Sequence, residues 1–219
     1  VALAEAEQLM KKRINKQHML NGVSFIDPNN TYVEPDVEIG CDTVIEPNVY
    51  LKGNTKIASH VFIGMGSEII DSTIEEHAEI KQSVIDQSTI GEKVTVGPFA
   101  QLRPGTHLLE GAHVGNFVEI KNATLGKNSK AGHHIYVGDA DVGEDVNIGA
   151  GVIFSNFDGV AKHHTTVGDR SFIGSNSNLV APLTLEADSY VAAGSTINLD
   201  VPSKALAIAR ARQVNKEGY

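Results

Sequence analysis

Residues Val37–Ile70 read VEIGCDTVIEPNVYLKGNTKIASHVFIGMGSEII. Within them Ile39, Ile45, Leu51, Ile57, Ile63 and Ile69 recur at a strict spacing of six. An amphipathic helix needs apolar residues every three to four positions, and a half-buried strand alternates over a short run before it turns. Neither template accommodates this period. A hexad repeated on this scale reads as a parallel β-helix, in which each hexad forms one short strand and a corner and three hexads close one coil. Thr43, Val49, Thr55, Val61 and Ser67, two places before successive aliphatics, are small or branched and suit the same interior.

The rhythm extends outward in both directions. With five-residue steps at some corners it runs through Ile74, Ile80, Ile85, Ile90, Val96, Leu102, Leu108, Val114, Ile120, Leu125, Ala131, Val137, Val142, Ile148 and Phe154. It breaks at SNFDGVAKHHTT, then resumes from Val167 to Ile197. The reading is therefore a solenoid over 21–201 with a projecting loop at 155–166 and a tail at 202–219. General rules make parallel crossovers right-handed. The hexad instead resembles the left-handed β-helix of the hexapeptide-repeat acyltransferases, and the expected hand comes from that resemblance. Residues 1–20 carry helix formers, with Leu3, Leu9, Met10 and Ile14 spaced toward one face. No capping residue precedes them, so a further domain is expected upstream.

Composition agrees with a thin aliphatic core: 21 of 219 residues are glycine and none is tryptophan. The net charge of −9 argues against a nucleic-acid partner, which a basic face would serve. Cys41 stands alone, so no internal disulfide framework exists. No secretory signal or apolar run of about 18 residues is present, and a cytoplasmic protein without a membrane partner is expected.

Register converts the stretch Leu102–Tyr136 into geometry. Arg103 and Lys121 each follow a core aliphatic by one residue, one coil apart, so they stack. Like charges stacked this way repel unless an anion lies between them, and a guanidinium fork with an ammonium suits phosphate oxygens. Gly138, one coil higher, leaves room beside them. Two residues after their aliphatics come His133, Ala150, Ser175 and Ala193, one imidazole beneath a track of small residues. Gly132, Gly149, Gly174 and Ala192 precede them, which suggests a groove for an extended ligand. Tyr136 stacks on Glu119 by the same arithmetic. His133 is thereby a candidate general base. In the loop, Asn156-Phe157-Asp158-Gly159 reads as a turn, Lys162 adds a cation, and His163 and His164 read as surface histidines without partners. His60 and His77 should also stack, but Asp42 and Lys93 complete that column, and no metal is expected there.

The runs LRPG at 102–105, LLEGAHVGNFVEIK at 108–121, LGKNSKAGHHIYVGDADVGEDVNIGAG at 125–151 and NFDG at 156–159 carry a closer resemblance. They are similar to the acetyltransferase domain of the bifunctional bacterial N-acetylglucosamine-1-phosphate uridyltransferase / glucosamine-1-phosphate N-acetyltransferase. The resemblance implies a homotrimer that acetylates glucosamine 1-phosphate with acetyl-CoA, in the route to UDP-N-acetylglucosamine. It puts the base at His133 and sugar-phosphate contacts at Arg103, Lys121, Tyr136, Asn147 and Lys162. Acetyl-CoA contacts fall on Ala150, Asn156, Phe157, Ser175, Ala193 and Arg210. Phe157 stands where the family usually has Tyr, and the Pro usual shortly after the final Arg is absent after Arg210. Since the loop projects from the coils above Arg103 and Lys121, a neighbouring subunit's loop is expected to complete the site. Other readings are an acyltransferase for a different amino sugar, a zinc lyase of the carbonic anhydrase type, which needs three converging histidines, and a non-catalytic scaffold.

Overall fold

A computed structural model describes residues 1–218, which form one helix, Ala2–Leu20, followed by a parallel β-helix of about ten coils. Rung sits on rung as the hexad requires. Ile45, Ile63, Ile80, Val96 and Val114 stack on one face, and Leu51, Ile69, Ile85, Leu102 and Ile120 on the next. Ile39, Ile57, Ile74, Ile90, Leu108 and Leu125 make the third. The first face is an 11-stranded sheet, while the other two merge into one 17-stranded sheet. The long strands Glu119–Leu125 and Tyr136–Val142, each paired through the bend, span both of those faces.

From Ile45 to Ile197 the repeating aliphatics are at most 4% exposed. Burying each contributes roughly 1.5–3 kcal/mol. Ile39 is only half-buried, because it forms the first rung on its face. The inward hydroxyls two places earlier are satisfied by corner carbonyls: Thr43 Oγ1 donates to Ala58 O at 2.9 Å and Ser67 Oγ to Gly64 O at 2.8 Å. A buried hydroxyl without such a partner costs about 1–3 kcal/mol, a cost that falls on Thr165, whose buried Oγ1 finds no partner.

The corners explain the uneven steps. After a six-residue step the third residue past the aliphatic is left-handed, as at Asp42, His60, His77, Lys93, Asn128 and Asp145. Where the sequence steps by five, the left-handed residue comes one place earlier, at Asp71, Gln82, Gln87, Asn122 and Asp139. His60 and His77 are thus corner residues whose rings stack with centroids 5.2 Å apart.

The helix closes the lower end of the solenoid with only part of the expected face, since Ile14 packs against the core. Leu3 and Leu9 stay 75% and 70% exposed, whereas Lys11 and Asn15 are buried. The opening turn presents carbonyls there, which polar side chains can satisfy and leucine cannot. Asn15 Nδ2 donates to Pro28 O at 2.9 Å and Thr31 O at 3.0 Å, and Lys11 Nζ donates to Asn29 O while lying over the Tyr32 ring. At the upper end the ladder passes Val201, since Leu206–Ala207 pairs with Tyr190–Val191. Among the described residues no helix is long and apolar enough to cross a membrane.

Coils approach so closely at corners that some positions admit no side chain. A Cβ on Gly115 would overlap the carbonyl oxygen of Gly132 on the next coil, whereas a Cβ on Gly132 would meet nothing within 4 Å. Gly115→Ala is accordingly expected to destabilise by about 1–3 kcal/mol, and Gly132→Ala to stay within about 0.5 kcal/mol of the parent or gain slightly. Urea unfolding of the two variants checks this, and equal midpoints would show that the corner stacking is looser than described.

Candidate active site

His133 ends the strand Lys130–His133, and its ring is exposed. The ladder puts Asn116 one coil below it and carries the column upward through Ala150, Ser175 and Ala193, all exposed. His133 Nδ1 lies 2.7 Å from Asn116 Oδ1. An amide oxygen only accepts, so the contact is a hydrogen bond when Nδ1 carries the hydrogen. The glycines beside this column do not open a groove. A Cβ on Gly149 would sit 2.6 Å from the Ser175 backbone nitrogen, and one on Gly174 would overlap Ala193 N. Gly149 and Gly174 let the next coil settle, whereas Gly132 faces open space.

Round the corner, Arg103 and Lys121 stack as the register requires, but each has a second neighbour. Arg103 Nη1 donates to Glu119 Oε1 at 2.8 Å, and that carboxylate, against a small opposing effect of burial, strengthens the hold of the guanidinium on its proton. Lys162 of the loop lies near enough to Lys121 for the two amines to influence each other. The contact with the Lys162 amine, and then its charge, press the Lys121 pKa down; burial and Arg103 add to this, and Asp139 opposes it.

The loop therefore reaches its own chain's cations, contrary to the expectation from its position above them. Two features return it. Phe157 and Lys162 form an antiparallel bridge, so the loop doubles back on itself. Asn156, 7% exposed, anchors its base by donating to Asp139 Oδ2. The room expected at Gly138 is taken up by this packing: a Cβ there would sit 2.7 Å from Asn156 Nδ2 and overlap the Tyr136 hydroxyl. Nor are the loop histidines unpartnered. His163 Nε2 lies 2.7 Å from Asp158 Oδ2, and His164 Nε2 lies 3.1 Å from Asp141 Oδ2. Asp158 is held well below the ordinary carboxylate range by the Ala161 amide first, then by His163 and the Val160 amide.

Asp139 is the counter-charge the sequence reading missed. It occupies a left-handed corner beside Lys121, one residue past Gly138. Burial disfavours its charge, yet hydrogen bonds from Asn122 and Asn156 and the ammoniums of Lys162 and Lys121 outweigh that and keep its pKa below normal. Of the other expected site residues, Tyr136 stacks beside Glu119 as foreseen. Phe157 is 60% exposed at the loop. Asn147 lies between Lys130 and Phe172 on the 11-stranded sheet, a different face from that of Arg103 and Lys121. Arg210 follows Ala209, among the described residues the last one bonded to the coil below, next to Ser195 and Thr196.

Comparison with known proteins follows the same lines. A family model described as bacterial transferase hexapeptide (six repeats) matches residues 36–71, and one described as hexapeptide repeat of succinyl-transferase matches residues 164–198. The chain is 56% identical over 219 residues to the bifunctional protein GlmU of Latilactobacillus sakei subsp. sakei, all of this chain and 47% of that protein. The chain is a homologue of the GlmU proteins. It is also 55% identical over its whole length to bifunctional protein GlmU of Bacillus subtilis, covering 48% of it, so it spans about half the length of the curated relatives it matches. Among solved structures, a UDP-N-acetylglucosamine acyltransferase covers 85% of this chain and 70% of its own at 15% identity with a TM-score of 0.56. The corresponding protein of Bacteroides fragilis covers 83% and 70% at 17% identity with a TM-score of 0.50. At these identities the solved structures share the fold.

The cation cluster makes a prediction about the protein without ligand. A lysine whose folded pKa lies below its unfolded value costs the fold stability at neutral pH, and the cost is relieved only as the pH rises from the folded toward the unfolded value. Lys121→Met should therefore unfold at a higher temperature than the parent at pH 7 and low salt, with the gain shrinking as salt screens the repulsion. A lower midpoint for the variant under low salt would show that Lys121 makes net favourable contacts.

Proposed function

We propose that this chain transfers the acetyl group of acetyl-CoA to the amino nitrogen of glucosamine 1-phosphate, producing N-acetylglucosamine 1-phosphate for UDP-N-acetylglucosamine synthesis. Homology to the GlmU proteins over every residue of the chain supports the reaction class. The observation that carries the substrate is the cluster of Arg103, Lys121 and Lys162, two of whose charges are pushed together with Asp139 as the facing carboxylate. In a chain of net charge −9, such crowding of cations is a local construction suited to a phosphate dianion. His133 is three residues along the chain from Tyr136, about 11 Å at most, which is the scale of a sugar phosphate.

In this reading the phosphate lies against Arg103, Lys121 and Lys162, and Tyr136 and Asn147 contact the sugar. Asn147 is on another face of its own coil, so its contact fits best across a subunit boundary. We propose a homotrimer on that ground and on the family resemblance. Acetyl-CoA lies along Ala150, Ser175 and Ala193, with Asn156, Phe157 and Arg210 as further contacts. The amine attacks the thioester carbonyl, the C–N bond forms and the C–S bond breaks. His133 Nε2 takes the amine proton and returns it to the departing sulfur. Positioning by the phosphate anchors converts the encounter into an intramolecular step. The reading requires no metal and no covalent acetyl-enzyme, and it belongs to a cytoplasmic enzyme.

Thiol release from acetyl-CoA, followed with glucosamine 1-phosphate and with glucosamine, tests the proposal. Activity on the phosphorylated sugar should dominate, and equal activity on both would sink the phosphate assignment. His133→Ala should lower kcat by about 10²-fold or more with little change in KM. Lys121→Ala should raise KM for the sugar phosphate by the equivalent of about 1.5–3 kcal/mol while sparing acetyl-CoA. Equal losses for both substrates would make Lys121 structural.

A further inference from the structure

We propose that Asn116 is a positioning residue that fixes the tautomer and aim of His133, an assignment that rests on His133 being the base. Three observations carry it. Asn116 and His133 are direct register partners on adjacent coils, so their side chains leave the same column. The backbone locks that relation from the other side, since the His134 amide donates to Asn116 O at 3.1 Å. The side chains then meet at 2.7 Å, Nδ1 to Oδ1. Above His133 the column holds Ala150, which has no polar side-chain atom to compete for the ring.

The chemistry explains an amide at this position. For Nε2 to accept the amine proton, the ring must be neutral with its hydrogen on Nδ1, which is the tautomer that an acceptor-only oxygen enforces. A carboxylate would enforce it too, but its charge would favour the imidazolium and leave less free base at neutral pH. The amide holds the ring without that penalty. His113 and Lys130 are titratable neighbours of His133. His113, on the Asn116 strand, has its own pKa pushed down by burial, then by Lys130 and His133, and its Nδ1 is bonded to Thr95 Oγ1 at 2.6 Å. Lys130 lies on the His133 strand, and His134 turns away to stack on Phe117 with ring centroids 5.0 Å apart. None of these offers Nδ1 an alternative acceptor.

The test uses the protein of this chain with Asn116→Leu, of similar volume, and Asn116→Asp. Nitrogen-15 NMR of the free protein, with the His133 signals assigned by their loss in His133→Gln, should show Nδ1–H with a bare Nε2 in the parent and a redistributed ring in Asn116→Leu. In steady-state assays Asn116→Leu should lose roughly tenfold to a hundredfold in kcat with unchanged KM values. Asn116→Asp should retain the tautomer, recover kcat at high pH and move the acid limb of the kcat/KM profile up by about one unit. Each of three results would overturn the proposal: a parent ring already mixed between tautomers, an Asn116→Leu ring unchanged, or a changed ring with kcat intact. Full activity of His133→Gln would refute the base assignment instead, and the NMR comparison would still decide whether Asn116 sets the tautomer.

Discussion

Everything in this molecule depends on the backbone of one coil bonding to the backbone of the next, at the spacing of about 4.8 Å that strands impose. That spacing is rigid. It decides which corners need glycine, which hydroxyls can be buried, and which residues far apart in sequence become neighbours. Asn116 meets His133, Arg103 meets Lys121 and Glu119 meets Tyr136 because each pair occupies the same offset on successive coils. A globular core achieves such meetings through side-chain packing that no short rule describes, but here one arithmetic rule suffices.

For that reason the solenoid, its faces and the columns around His133 were legible in the sequence, down to individual partners. What the rule does not govern was not legible. The loop belongs to no coil, and its path depends on a local bridge between Phe157 and Lys162 and on the bond from Asn156 to Asp139, so its return to Lys121 was invisible. The helix face was partly misjudged for a related reason. Hydrophobic spacing indicates Leu3, Leu9, Met10 and Ile14, of which Ile14 packs against the core, but beside it the helix docks on a rim of carbonyls that selects Lys11 and Asn15. Asn116 lay in plain sight on the His133 column, and a neutral amide in a repeat rich in Asn simply gave no signal. Glycines were read as making room for a ligand, when at Gly149 and Gly174 they make room for the chain itself.

The candidate site shows how a scaffold of this kind accommodates electrostatic strain. Side chains along a column cannot move away from one another without breaking the ladder, so like charges set at one offset stay close. Glu119 and Asp139 temper the cations without cancelling them, one as an ion pair with Arg103 and the other through Asn122, Asn156 and the lysines. A flexible surface would let Lys121 and Lys162 drift apart into water. Here the loop is held beside Lys121 by the Phe157–Lys162 bridge and the bond from Asn156 to Asp139.

The polar docking of the helix has a consequence for self-association. A parallel solenoid without a stop presents, at its ends, rows of backbone groups ready to template another strand, the same geometry that drives filament growth. At the lower end the carbonyls of Pro28, Asn29 and Thr31 already accept hydrogen bonds from Asn15 and Lys11. A strand arriving from another molecule would find those acceptors taken and a charged helix in its way, so the helix acts as a terminator that keeps the coil from propagating beyond its own chain.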